Sequence, residues 1–215
     1  MAKSSKERTA IRQEEIVDAC STLYETMSFK DISIGDIGAK TTFTRTSIYN
    51  YFQTKEEIFL ALLQREYETW CIDLQTIQEK DRLSPKAFSQ ELAHSLEKRR
   101  HMLKLMSMNL YDIESNSRLE KLVLFKKAYA HAFSTLDSCL KKFFPFMDPD
   151  DRQEFLYAFF PFLFGVYPYT TASDKQKEAM ALARFSYAQY SVVDLISSFT
   201  LRQLVAFQQK TVLDS

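Results

Sequence analysis

Glycine occurs only three times in 215 residues, at Gly35, Gly38 and Gly165, where average usage of roughly 7% gives about fifteen. No G-x-G-x-x-G or Walker loop can be written from three such positions, and those loops need glycine so that backbone can approach phosphate. With only five prolines as well, the chain lacks the turn residues of a sandwich or barrel. The deficit is matched by an aromatic excess, 18 Phe and 11 Tyr, of which eleven fall between Phe143 and Tyr169. This composition predicts an all-α protein. Lys plus Arg balances Asp plus Glu at 28 each, which excludes a wholly basic coat protein and an acidic disordered tail but leaves room for local patches.

Cys20, Cys71 and Cys139 are scattered, with no C-x-x-C spacing, so neither a disulfide framework nor a zinc ribbon is expected. His94, His101 and His131 form no H-E-x-x-H or E-x-x-H pair, and there is no nucleophile elbow. No metal, cofactor or enzymatic activity is expected. The N-terminus has no apolar signal core. The apolar run Phe155 to Tyr169 is short for a bilayer and carries Pro161 and Pro168. A cytoplasmic protein with no membrane partner is the expectation.

Helical periodicity runs almost throughout. Ile16, Ala19, Cys20, Leu23 and Met27 stripe a first helix over about 7–27. Capping boxes at Ser33 to Asp36 and Thr54 to Glu57 open a short second and a long fourth helix, and Thr44 caps a third between them. Ser84-Pro85 opens a helix over 85–97, followed by helices over 100–113 and 117–143. Asp148 to Asp151 starts another, ending near Tyr169, and Ser173 to Gln176 starts one reaching about Gln208 with a break near Phe185. Gly35 and Gly38 fit close helix packing; Gly165, beside Pro161 and Pro168, suits a kink or a pocket mouth.

Residues 33–52 hold two short capped helices joined by about four residues, with Ile34, Ile37, Phe43, Ile48 and Phe52 spaced to share a small core. That is a helix-turn-helix arrangement. The solvent face of the second of these helices carries Arg45, Thr46, Ser47, Tyr49 and Asn50, all hydrogen-bonding and none acidic. A helix entering the major groove must avoid carboxylates near phosphate and offer base-edge partners such as Arg for guanine and Asn for adenine. Lys3, Lys6, Arg8 and Arg12 against Glu7 give residues 1–12 a net of +3, and Lys40, Arg45 and Lys55 give 40–55 the same. Such charge is what holds a reader on DNA.

The stretch Ser28 to Asp36-Ile37, then Phe43 to Glu57 with its Tyr49-x-x-Phe52-x-x-Lys55-Glu56 pattern, resembles the DNA-binding module of TetR-family transcriptional regulators over roughly residues 10–60. The resemblance implies that Tyr49 and Lys55 touch phosphate and that Thr44, Arg45, Thr46, Ser47 and Asn50 touch phosphate or bases. Ser33, at the start of the second helix, joins these candidate DNA contacts. Phe52 matches a core aromatic. Thr42 and Thr46 stand where the family commonly has glycine, so the turn must accept a branched residue.

The resemblance also implies a helix-turn-helix DNA-binding domain over 1–53 and a larger helical ligand-binding and dimerisation domain over 54–215. A homodimer doubles the contacts of a single reading helix on a palindromic double-stranded operator. The segments 150–170 and 174–208, with Leu182, Phe185, Tyr190, Val193, Leu195, Ile196, Phe199, Leu201, Leu204 and Phe207, are the candidates for its interface. Tyr67, Trp70, Cys71 and Leu74 could face Met102, Leu103, Met106 and Tyr111, then Phe125, Tyr129 and Phe133, around an apolar or aromatic effector. Of these, Tyr67, Trp70, Cys71, Met102, Met106, Phe125 and Tyr129 are taken as ligand candidates; the same stripe also fits plain core. The reading is a ligand-released repressor. A constitutive DNA-binding architectural factor of the same fold, or an all-α carrier or enzyme for an apolar ligand, is the alternative.

Overall fold

A computed structural model describes residues 5–108, 110–186 and 188–213; Lys3, and the side chains of Lys6 and of residues 211–213, lie outside what is described. Among the described residues there are eleven helices: α1 Ser5–Thr26, α2 Ile34–Ala39, α3 Arg45–Ile48, α4 Lys55–Gln78, α5 Pro85–Glu97, α6 Arg100–Met106, α7 Leu110–Ser115, α8 Leu119–Phe143, α9 Pro149–Thr170, α10 Asp174–Leu182 and α11 Val192–Leu213. The fold is all-α, with no strand among the described residues. None of these helices is long and apolar enough to cross a membrane.

Most starts follow from local chemistry. Ser33, Asp148 and Ser173 each accept from the backbone N–H three residues on, and the residue there returns a bond to the cap backbone. These reciprocal bonds satisfy two of the donors that a helix start leaves open. Thr44 and Ser84 cap α3 and α5 with single bonds from Ser47 and Ala87. A further box, Ser191 with Asp194, opens α11: the Ser191 N–H donates to Asp194 Oδ2 at 3.0 Å and the Asp194 N–H to Ser191 Oγ at 3.0 Å.

The helix expected over 100–113 is two helices. Ser107 closes α6 with its N–H on Leu103 O, and its hydroxyl turns back to Lys104 O at 2.8 Å. Such back-bonding competes with helix continuation. The break resets the helix phase, so Tyr111 is 79% exposed rather than facing the fourth helix. The break expected near Phe185 falls where α10 ends, at Leu182, ahead of α11 at Val192. Arg184 adopts φ 51°, its N–H donates to Ala181 O, and the Phe185 N–H reaches back to Met180 O. This is a Schellman ending with arginine in the left-handed position usually held by glycine.

The chain divides into two compact units. The first takes in the described residues of 1–67 and 109–129. Its core holds Ile16, Cys20, Tyr24, Ile32, Ile37, Ile48, Phe52 and Phe59. Tyr24 and Phe29 both meet Phe59 edge-on, at 5.1 and 4.7 Å between centroids. Of the small core expected around the helix-turn-helix, Ile37, Ile48 and Phe52 are buried while Ile34 and Phe43 are half-buried.

The second unit takes in the described residues of 68–108 and 130–215. Here α11 packs on α5 and α9, and α9 on α6. Trp70, Phe88, Leu92, Met102, Met106, Leu136, Phe155, Phe159 and Leu163 are buried in it. By contrast α10 buries none of its residues. The three cysteines are buried and unpaired. Burial pushes the Cys20 and Cys139 thiols up to about 12 and Cys71 to about 11, so all three stay neutral at physiological pH.

Candidate nucleic-acid interface

The face of α3 and its exit is polar and carries no acidic residue. Thr44, Arg45, Thr46, Tyr49 and Asn50 are exposed there, and Ser47 is half-buried. Arg45 Nη2 donates to the Tyr49 hydroxyl at 3.4 Å, one helical turn on, so the two side chains lie along one edge. Thr44 and Ser47 spend part of their capacity locally. Thr44 Oγ1 accepts from the Ser47 N–H at 3.3 Å and shares a hydroxyl contact with Ser47 Oγ at 3.0 Å. Ser33 is exposed but its hydroxyl is committed to Asp36 Oδ2 at 2.6 Å. Those Ser33 bonds hold the Asp36 carboxyl below its ordinary range.

The turn solves its missing glycine with a hydrogen-bonded threonine. No residue of the turn has a positive φ, since Arg184 alone does among the described residues. The Thr42 N–H and hydroxyl both donate to Glu15 Oε1, each at 2.8 Å, tying the turn to α1. The amide bond, then the hydroxyl bond, lowers the Glu15 carboxyl below its usual value. On the same helix the Arg12 guanidinium lies 5.0 Å over the Phe43 ring. A Cβ on Gly38 would lie 3.5 Å from the Arg45 backbone N, an ordinary van der Waals contact, so the approach of α2 to α3 does not require glycine there.

Lys55 is half-buried, and its ammonium donates to Phe29 O at 2.9 Å and Ile32 O at 3.2 Å, 4.3 Å over the Phe29 ring. Its neighbour Glu57 departs from the expected capping box. The Glu57 N–H does donate to Thr54 Oγ1 at 3.2 Å. The carboxylate, however, accepts from the Gln53 N–H and from Arg118 instead of returning to Thr54. Burial raises the Glu57 carboxyl, but the bonds from Arg118 and from the two backbone N–H groups outweigh it and leave the group below its ordinary value.

The bacterial regulatory protein model of the tetR family matches residues 16–62, and a tetracyclin repressor-like C-terminal domain model matches residues 64–201. This chain belongs to the TetR family. No curated protein matches its sequence. Solved structures share the fold at low identity. A TetR transcriptional regulator from a Rhodococcus species is 13% identical with TM-score 0.57, covering 94% of this chain and 97% of that one. The fatty acid degradation regulator FadR of Bacillus halodurans is 13% identical with TM-score 0.56, covering 95% and 96%. FadR of Bacillus subtilis, solved with stearoyl-CoA, is 16% identical with TM-score 0.57, covering 90% and 98%.

TetR-family membership directs attention to the seven residues expected to line an effector site. Tyr67, Phe125 and Tyr129 cluster in the first unit, with Tyr67 5.4 Å from Tyr129 and 6.0 Å from Phe125. Burial, followed by the neighbouring Tyr129, drives the Tyr67 phenol up. Trp70, Cys71, Met102 and Met106 are buried in the second unit. There the Trp70 Nε1–H donates to Ser95 Oγ at 3.0 Å, and its ring meets Phe160 at 6.0 Å.

Two cavities of the second unit draw on other residues. One, of about 520 Å³, is lined by Arg100, Thr170, Lys177, Tyr190 and Asp194 among others. The other, of about 310 Å³, is apolar and includes Pro168, Tyr169, Met180 and Phe185. Arg100 ends the basic run Lys98-Arg99-Arg100, which reads as a solvated face, and Lys177 is a lone cation that carries no local signal. The Ser191-x-x-Asp194 spacing beside them was legible. No group of three or more potential metal ligands occurs among the described residues.

Proposed function

We propose that this chain is a sequence-specific DNA-binding repressor, acting as a homodimer on a palindromic operator and released by a small apolar or aromatic effector. The carrying observation is the exposed, acid-free face of Thr44, Arg45, Thr46, Tyr49 and Asn50 in a TetR-type N-terminal module. Arg45 and Asn50 supply base-edge chemistry, while Tyr49, Thr44, Ser47 and the start of α2 at Ser33 are phosphate contacts. Lys55 contributes at most one N–H to phosphate, because an ammonium has three and two are given to carbonyls. In this reading residues 1–53 form the reader and 54–215 the sensing and pairing body, in a cytoplasmic protein without catalytic activity.

The pairing surface is assigned to the outer faces of α9 and α11. Tyr157, Pro161, Pro168 and Tyr169 are exposed on α9, and a Cβ on Gly165 would meet nothing within 4 Å. Phe162 and Phe199 stack at 4.1 Å yet remain half-buried. Contiguous apolar surface of this kind marks interfaces. The proposed effector contacts are Tyr67, Phe125 and Tyr129 in the first unit and, separately, Trp70, Cys71, Met102 and Met106 in the second. The same fold holds stearoyl-CoA in the B. subtilis FadR structure.

The test is selection of bound sequences from a random DNA pool at defined salt. A palindromic consensus supports both reader and dimer; no enrichment over non-specific DNA sinks the repressor reading. On the selected site Arg45→Ala should cost about 1–3 kcal/mol and relax preference at one base position. Unaltered discrimination by that variant removes Arg45 as a base reader.

A further inference from the structure

The reading helix α3 is a single turn, Arg45–Ile48. One turn has no stability of its own, so its placement depends on what holds its ends. At the entry, Thr44 caps it. At the exit, the Tyr51 and Phe52 N–H groups both fold back on Ile48 O, at 2.9 and 3.0 Å. The backbone then runs straight into a buried ionic network.

That network centres on Glu57, which is 1% exposed. Its Oε2 accepts from the Gln53 N–H at 2.7 Å and from Arg118 Nη2 at 2.9 Å. Its Oε1 accepts from Arg118 Nε at 2.6 Å and the Arg118 N–H at 3.1 Å. Arg118 Nη2 also donates to Tyr51 O at 3.3 Å, and Thr54 Oγ1 donates to Asn116 O at 3.0 Å. Arg118 Nη1 pairs outward with Glu120 at 3.1 Å. A buried carboxylate is tolerated only when its lone pairs are taken, and here four donors take them.

A plain packing bridge would join side chain to side chain. This one also ends on backbone, at Tyr51 O and the Gln53 N–H, on either side of Phe52 and directly after Tyr49 and Asn50. It therefore fixes the peptide that leaves the reading helix. Lysine could not do the same, because a point charge cannot present Nε and Nη2 in a fork while also reaching a carbonyl.

We propose that Arg118, acting through Glu57 and the Tyr51–Gln53 backbone, is a positioning residue for DNA reading: it sets the height and rotation of α3 without touching DNA. The proposal rests on the reader assignment above. Acting through the backbone rather than on phosphate, Arg118 when lost lowers sequence discrimination and leaves non-specific binding intact.

The test uses the full-length protein and the variants Arg118→Lys, Arg118→Ala and Glu57→Gln. Fluorescence anisotropy is read on the duplex selected by the unaltered protein and on a scrambled duplex, across a salt series. The expected result is a fall of tenfold or more in affinity for the selected duplex, with affinity for the scrambled one within twofold and an unchanged salt slope. Arg118→Lys should not rescue. Amide hydrogen exchange should quicken at Gln53 while the Ile37 amide, bonded to Ser33 O, keeps its protection. An unchanged ratio of selected to scrambled affinity in Arg118→Ala overturns the proposal. So does loss of the far-ultraviolet helix signal by Arg118→Lys at the assay temperature, which would make Arg118 a folding residue only. If the unaltered protein selects no sequence, it is the reader assignment that fails.

Discussion

Replacing Lys55 by alanine separates two roles for one side chain. As a phosphate ligand, Lys55 would matter only when DNA is present. The geometry instead spends its ammonium on Phe29 O and Ile32 O, with the Phe29 ring beneath it. A hydrogen bond to a charged group contributes about 1.5–3 kcal/mol in favourable settings, and a cation over an aromatic ring about 0.5–1 kcal/mol at partly exposed sites. The site is half-buried, so water can satisfy the two carbonyls after truncation. That discounts the bonds and leaves a total near ~2 kcal/mol. For a chain of this size each kcal/mol moves the thermal midpoint by roughly 2–4 °C, so Lys55→Ala should lower it by about 4–8 °C. On DNA, a full phosphate contact would change the salt slope by about one; with two donors already used, Lys55→Ala should change it by clearly less. Thermal unfolding by circular dichroism and a salt series in anisotropy give both numbers. An unchanged midpoint together with a slope reduced by a full unit would refute the argument and return Lys55 to the phosphate backbone.

Acid should loosen the first unit. Glu15, Asp36 and Glu57 all sit below their ordinary values of 4.5, 3.8 and 4.5, so the unfolded chain binds more protons than the folded one. Their stabilisation is complete above those ordinary values and is lost as pH falls below them through the lowered ones. Urea midpoints between pH 7 and 3 should drop steeply below about 4.5, and less so in Glu57→Gln; a midpoint that rises on acidification contradicts this. On α9, Gly165→Ala should add about 1 kcal/mol of helix stability, since its Cβ meets nothing. Gly165→Phe should weaken the proposed dimer in sedimentation, and an undiminished dimer would move the interface elsewhere. In the turn, Glu15→Ala removes both bonds to Thr42 and Thr42→Val only one. The first should therefore lower the thermal midpoint more; equal effects would mean that the hydroxyl alone holds the turn.

What could be read beforehand was local. The caps at Ser33, Ser84, Asp148 and Ser173 are bonds across three residues, and a sequence displays both partners side by side. The all-α class followed from scarce glycine and helical periodicity in the same way. The misreadings share the opposite character. Thr54 to Glu57 has capping-box spelling, yet the Glu57 carboxylate answers to Arg118, 61 residues away. Two carbonyls more than twenty residues upstream already accept from Lys55, contacts that the local spelling does not show. The break near Phe185 was legible, but the left-handed arginine that makes it, Arg184, is nothing the local spelling announces. Tyr67, Trp70, Met102 and Met106 were legible as inward-facing, but burial looks the same for a core and for a pocket wall.

The separation of 61 positions from Glu57 to Arg118 also sets an order of events while the chain is being made. At roughly 5–20 residues per second, the ribosome delivers Arg118 about 3–12 seconds after Glu57. During that interval the helix-turn-helix is already outside the ribosome, but its exit peptide hangs from an uncompensated carboxylate. If Arg118 positions the reading helix as proposed, that positioning waits until the α7–α8 turn has emerged. On the proposed role of Arg118, a nascent chain released between the two positions, or a proteolytic fragment ending there, carries the candidate reading side chains without the contact that positions them. Such incomplete copies should discriminate sites less well than finished ones.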